Sequence, residues 1–269
     1  MKTINIVIKK FLNFFLREKI TNKILWIRRK GFLWFCYFQI IKFLYFINVK
    51  IIKFKTKKNI PDLEDFFVTK INLETEFLDR VKNDLKKKDY IFTESFFSSK
   101  YMTWHFPKSY LNDVRYSWGF DRRYYANYID KHLKDKIKKI YGGFNYRIEL
   151  VEMFVTPKGT KNVNANFHVD GDNPGSLKMM IYLSDVDEES GPISFLDNRD
   201  DQIKKVLGDK GTVVFFNNRK AKHAGMPSIS KDRTVLTFLL YPTLRKSINY
   251  VDTKPMNVFC NINPFSKFS

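Results

Sequence analysis

Along the second half of the chain, apolar and polar residues alternate in short runs broken by Asp, Asn, Gly and Pro, the pattern of β-strands joined by tight turns. Such runs occupy 146–155, 164–170, 177–183, 193–196, 211–216 and 234–241. Short strands with polar turns predict an antiparallel jelly roll. Upstream the period lengthens to that of a helix. Between Glu74 and Lys88, Phe77, Leu78, Val81 and Leu85 share one face, and lysines gather at the end where the helix dipole favours cations. A second helical segment runs to Ile140 with Tyr125, Tyr128, Ile129, Leu133 and Ile137 as its stripe, and Asp121 stands before it as an N-cap. The predicted class is α+β. A double-stranded β-helix (jelly-roll, cupin-like) core at about 145–242 carries flanking helices and an N-terminal helical extension.

The first sixty residues read differently. Residues 1–30 combine basic positions at helical spacing with Phe, Leu and Trp, which predicts a basic amphipathic helix. The run 31–49 has Lys42 as its only charge, and its 19 residues reach the length of a membrane span. Gln39 and Lys42 interrupt it, and both flanks are basic, so the positive-inside rule sets no orientation. An in-plane helix with aromatic anchors and snorkelling lysines on anionic headgroups fits better. The expected organisation is a membrane-docking segment at 1–60 and a catalytic domain at 61–269, peripheral on the cytoplasmic face of a membrane. Helices packed on the catalytic domain are the alternative. Nucleic-acid binding is the weaker reading, because basic and aromatic residues interleave here without a recognised motif.

Charge follows the same division. Of the formal net charge of +20, residues 1–60 supply +14, from fifteen Lys and Arg against the single acid Glu18. The basic character therefore concerns docking rather than chemistry. Cys36 and Cys260 are the only cysteines, which excludes a disulfide framework and a cysteine-ligated zinc site and fits a reducing interior. No cleavable signal peptide is expected, and oligomeric state is not encoded legibly.

The candidate chemistry lies in the strand-rich half. His168 and Asp170 are two residues apart, so on a strand both side chains leave the same face and can grip one ion. His223 follows Asp170 by 53 residues, across several strands, and a sheet folding back can bring it alongside. Two imidazoles and one carboxylate make the facial triad of non-haem Fe(II), which leaves open positions for O2 and a co-substrate. Arg233 lies in the apolar run ending at Tyr241, where a guanidinium is costly to bury without an anion and its planar fork suits a carboxylate. A structural histidine, or an arginine paired with a neighbouring acid, is the alternative for any one of these residues taken alone. His105 and His132 fit no comparable spacing.

The stretch FHVDGDNPGSLKMMIYLSDVDEESGPISF from Phe167 to Phe195, with GTVVFFNNRKAKHAGMPSISKDR from Gly211 to Arg233, resembles the phytanoyl-CoA dioxygenase family of Fe(II)/2-oxoglutarate oxygenases. The resemblance covers roughly 145–242. It implies that His168, Asp170 and His223 are catalytic iron ligands, that Arg233 binds the C5 carboxylate of 2-oxoglutarate, and that Lys178 and Tyr182 are further co-substrate contacts. It also implies a hydroxylase that consumes O2 and 2-oxoglutarate, and the ligand carboxylate of Asp170 favours hydroxylation over halogenation. The Gly/Ser-rich element that usually follows Gly-Pro is replaced by Leu196-Asp-Asn-Arg-Asp-Asp201, so a classical acyl-CoA substrate is not expected. Joined to the N-terminal segment, the resemblance points to a small or lipid-linked substrate, a saccharide or acyl group of a glycolipid. Two alternatives are a non-catalytic binding protein on an oxygenase fold and an oxygenase acting on nucleic acid or protein.

Overall fold

The computed structural model describes residues 32–56, 66–86, 90–92, 115–117, 120–160, 167–170, 172, 174–197 and 201–243. Its helices are α1 (Phe32–Thr56), α2 (Thr75–Lys86) and α3 (Arg122–Ile140). Strands β1 (Phe66–Lys70), β2 (Tyr90–Phe92), β3 (Arg115–Ser117), β4 (Asn145–Thr156), β5 (Leu177–Tyr182), β8 (Thr212–Phe216) and β10 (Arg233–Thr243) form one sheet in the order β1-β8-β5-β10-β4-β3-β2. A smaller sheet has the order β7-β6-β9, from β6 (Ile193–Leu196), β7 (Ile203–Lys205) and β9 (Lys222–Gly225). All the strand pairs are antiparallel.

Register decides what each face of the large sheet meets. Val151, Met153, Met179, Ile181, Val213, Phe215, Leu236 and Phe238 turn to the helices and pack with Phe77, Val81, Tyr125, Ile129, Leu133 and Ile137. The alternate positions Met180, Tyr182, Val214, Phe216 and Val235 turn to the smaller sheet, where they meet Ile193, Phe195 and Val206. Each fully buried side chain of this size contributes about 1.5–3 kcal/mol of transfer free energy. Both faces are covered, so β8 is buried at every position and shows no polar alternation.

The expected cap forms. The Asp121 carboxylate accepts from the N–H groups of Arg123 and Tyr124 at 3.0 and 3.3 Å, satisfying two donors of the first turn of α3. The Gly-Pro of the family resemblance also has a physical reason. Gly191 has φ +71°, and a Cβ there would lie 2.4 Å from the carbonyl oxygen of Met226. Only glycine lets the chain turn into β6 at this point.

Helix α1 belongs to the same body as the sheets. Ile41, Tyr45, Asn48 and Ile52 recur at helical spacing and are buried. The Tyr45 ring lies 4.7 Å from that of Tyr241, and Asn48 Nδ2 donates to the Pro242 carbonyl at 3.2 Å. Beneath them the Tyr45 hydroxyl donates to Glu149 Oε1 at 2.5 Å, and Arg147 pairs with the same carboxylate. The boundary drawn at residue 60 is therefore crossed by a packed interface, and Gln39, expected on a polar outer face, is buried. The expected helix over 1–30 lies outside the described residues. Among those residues no helix is long and apolar enough to cross a membrane.

Strands β1, β2, β3, β7 and β9 are not foreseen by the sequence pattern. The edge strand β1 exposes Phe67 and Val68, and β9 reads Lys-His-Ala-Gly, so neither alternates. The predicted strand 164–170 is reduced, within 167–170, to a bridge between His168 and His223.

Candidate metal centre

Backbone pairing assembles the site. His168 N–H donates to His223 O at 3.0 Å, His223 N–H returns a bond to His168 O at 2.9 Å, and Asp170 N–H reaches Asn218 O at 2.6 Å. The segment carrying His168 and Asp170 thus runs antiparallel to the stretch from Asn218 to His223. The two imidazoles lie side by side with centroids 4.6 Å apart. Asp170 Oδ1 is 3.5 Å from His168 Nε2, and Oδ2 is 3.6 Å from His223 Nε2. All three ligand atoms fall within 4.8 Å of one another. Neighbouring corners of an octahedron with bonds of ~2.1 Å are about 3 Å apart, so a small inward movement would close this set on one ion.

The surrounding groups hold the ligands in metal-binding form. His223 Nδ1 faces the Ala221 carbonyl at 3.0 Å, which can only accept, so Nδ1 carries the proton and Nε2 keeps its lone pair. Burial and the positive charge of Lys178 push the His223 pKa down to about 4, so the ring is neutral at pH 7. Lys178 Nζ donates to Asp170 Oδ2 at 2.9 Å. Burial opposes ionisation of Asp170, but Lys178 and the two histidines outweigh it and hold the carboxyl well below the usual range. Lys178 itself is disfavoured by burial and raised by Asp170 and Asp172, so the ammonium persists.

Asn218 is the hinge of this arrangement. Its Nδ2 donates to Asp170 Oδ2 at 3.3 Å and also to Asp172, while its Oδ1 accepts from Ser176 Oγ at 2.8 Å. Burial and the charge of Asp170 push the Asp172 pKa up to about 7. Sequence reasoning missed Asn218, and it reads Asp172 to Ser176 as a specificity loop without giving either residue a part in holding the ligands. The Asn217-Asn218 pair directly after β8 was the available signal, but it reads equally well as a turn.

Arg233 stands at the start of β10, in register with Thr156 and 3 % exposed. Its Nη2 donates to Thr156 Oγ1 at 3.2 Å, whereas Nε and Nη1 are buried with no hydrogen-bond partner. Burial lowers its pKa to about 10, with no carboxylate among the causes that oppose the shift. Among the described residues the guanidinium therefore lacks the neighbouring acid that a structural arginine would have. The six residues singled out in the sequence divide accordingly. His168, Asp170, His223 and Lys178 come together. Arg233 and Tyr182 sit farther along the same face of the sheet, close enough for the Arg233 charge to act on the Tyr182 hydroxyl. Two of the expected co-substrate contacts have protein partners: Lys178 meets Asp170, and the Tyr182 hydroxyl donates to Val206 O at 2.7 Å and accepts from Ile193 N–H at 3.3 Å.

Solved structures share this architecture. A prolyl hydroxylase from Trichoplax adhaerens, in complex with a hypoxia inducible factor oxygen degradation domain peptide, superposes with a TM-score of 0.51 at 15 % identity over 76 % of this chain and 91 % of that one. The chain has that fold. It is an antiparallel jelly roll with flanking helices. HygX from Streptomyces hygroscopicus, solved with nickel, 2-oxoglutarate and hygromycin B, gives 0.47 at 13 % identity over 72 % and 89 % of the two chains. A viral collagen prolyl hydroxylase from Paramecium Bursaria Chlorella virus-1, solved with 2-oxoglutarate, gives 0.46 at 19 % over 66 % and 96 %. No family model matches the sequence, and no curated protein does.

Proposed function

We propose that this protein is an Fe(II)- and 2-oxoglutarate-dependent dioxygenase, a hydroxylase of the phytanoyl-CoA dioxygenase-like type. The observation that carries the reading is Arg233, a buried guanidinium with two unpartnered nitrogens in the same jelly roll as a His-Asp-His set. An isolated metal site would not need it. A dicarboxylic acid that reaches both the metal and the arginine explains the two together.

When bound, iron and 2-oxoglutarate supply oxidative decarboxylation: O2 and 2-oxoglutarate become succinate and CO2, and one oxygen atom enters a substrate C–H bond as hydroxyl. The chain's own residues set the conditions. His223 presents a neutral Nε2, His168 a second imidazole and Asp170 a carboxylate, the donor set that would hold a metal with coordination positions left for other ligands. Lys178 and Asn218 hold the carboxylate in place. Arg233, oriented by Thr156, would receive the distal carboxylate of the co-substrate. Phe216 and Phe195 pack beside His223, with ring centroids 4.8 and 6.4 Å from the imidazole, and cover that side of the ligand set.

The substrate class that fits the whole chain is a small or lipid-linked molecule, with the enzyme peripheral on the cytoplasmic face of a membrane. Support comes from the outer side of α1, where Phe54 is 85 % and Ile40 52 % exposed beside Lys50 and Lys55. Co-sedimentation of the full chain with anionic but not neutral vesicles, reduced in Phe54→Asp, is the expected result, and equal recovery with both vesicle types would refute docking. The test of the chemistry is anaerobic addition of Fe(II) and 2-oxoglutarate, with a weak visible charge-transfer band expected, then succinate formation on admitting air. Absence of both in the wild type, or their persistence in His168→Ala, removes the oxygenase reading.

A further inference from the structure

Glu152 is a charged group on the face of the large sheet that carries Lys178, and the proposed chemistry leaves it unused. It lies on β4 in register with Thr237 of β10, and Thr237 in turn pairs with Met180 of β5, whose side chain turns to the smaller sheet. Period-two alternation therefore puts the Glu152 and Thr237 side chains next to each other on the inner face. Glu152 is half-buried, and no hydrogen bond or ion pair among the described residues reaches its carboxylate. Thr237 is 1 % exposed, and its Oγ1 is buried without a partner.

The nearby cations are already committed. Lys178 is bonded to Asp170, and Arg122 donates from Nε to Val151 O at 3.2 Å with its guanidinium 4.9 Å from the Phe120 ring centroid. Arg233 is held by Thr156 and reserved by the proposed co-substrate. A carboxylate and a hydroxyl side by side on this face, without hydrogen-bond partners among the described residues, are costly unless a ligand completes them. Glu152 does not belong to the ligand set itself, whose members are His168, Asp170 and His223.

We infer that Glu152 and Thr237 form a subsite for a protonated amine on the substrate, placed beside the metal centre. An ammonium carries three donors, enough for the carboxylate and the Thr237 oxygen together, and its charge adds to the partial compensation that Glu152 receives at a distance from Lys178 and Arg122. A neutral hydroxyl has one donor and brings no charge. The subsite narrows the substrate to amine-bearing molecules, such as an amino-substituted saccharide or lipid headgroup, and it rests on the oxygenase reading above.

The test uses the full chain loaded with Ni(II) and 2-oxoglutarate, so that binding is read without turnover. Matched pairs of small primary amines and their corresponding alcohols are titrated by ligand-observed NMR, with 2-oxoglutarate binding followed in the same samples. The wild type is expected to favour the amine by about tenfold. Glu152→Gln abolishes that preference, and the near-isosteric Thr237→Val weakens it while leaving 2-oxoglutarate binding intact. Wild-type binding of 2-oxoglutarate without an amine preference, or a preference that survives both substitutions, overturns the subsite alone. Failure of the wild type to bind 2-oxoglutarate overturns the oxygenase reading and the subsite with it.

Discussion

Lys178 bonds to the same oxygen of Asp170, Oδ2, that faces His223 at 3.6 Å. The ammonium thus occupies the cationic side of the carboxylate in the absence of a metal. Substituting Lys178→Met leaves Asp170 without its strongest partner. The metal-free protein should lose roughly 2–3 kcal/mol, the low end for breaking a buried pair, because the two side chains stay 23 % and 22 % exposed. A divalent ion would then replace the missing charge, so the rise in melting temperature on adding metal should be larger in the variant than in the wild type. An equal or smaller rise would contradict this electrostatic role.

Arg233 makes the opposite prediction for the apo protein. Its guanidinium is buried, with two nitrogens unsatisfied, so Arg233→Met removes a penalty and should leave the metal-free protein as stable as the wild type or more so. The same substitution should weaken 2-oxoglutarate binding by about 100-fold, from the loss of a bidentate charge-assisted contact. Thermal melting with and without metal and 2-oxoglutarate reads both signs at once.

His223 titrates far from an ordinary imidazole. Burial and Lys178 lower its pKa from 6.5 to about 4 in the folded chain. Between those values the unfolded ring binds a proton and the folded ring does not. Stability relative to a His223→Gln variant is therefore fully present above pH 6.5 and is lost as pH falls towards 4, by about 3 kcal/mol in all. Denaturant unfolding of the metal-free pair at several pH values checks it, and parallel pH curves for the two proteins would show the shift to be absent.

Tyr45 ties α1 to the sheet through Glu149. Tyr45→Phe keeps the ring against Tyr241 but removes a 2.5 Å donor from a buried carboxylate, which should cost about 1–3 kcal/mol in urea unfolding. No loss would mean that the apolar contacts alone seat the helix.

Short apolar-rich runs bounded by turn residues made β4, β5, β6, β8 and β10 readable to within a residue or two, and the Asp121 cap was readable because capping is local. Strand β9 was not readable, although it carries His223. Lys222-His-Ala-Gly has neither length nor alternation, and it is a strand only because β6 pairs with it. The burial of α1 was hidden for a different reason. An apolar stripe such as Ile41, Tyr45 and Ile52 fits a lipid surface and a protein surface equally well, and only the presence of Tyr241 and Pro242 beneath it decides between them.

What the sequence alone determined is a candidate donor set: the spacing of His168 and Asp170, a distant His223, and an arginine in an apolar strand pick out four residues through residue type and period, and the structure brings the two histidines and the aspartate within 4.8 Å of one another. What only the tertiary structure decided is who meets whom. Lys178 and Tyr182 share a face of one strand in the sequence pattern, yet one bonds to Asp170 and the other to Val206, while Glu152 and Thr237 stand side by side without hydrogen-bond partners among the described residues. The reason is that hydrogen bonds and ion pairs form between neighbours in space, and in an antiparallel sheet those neighbours are set by register across strands far apart in the chain.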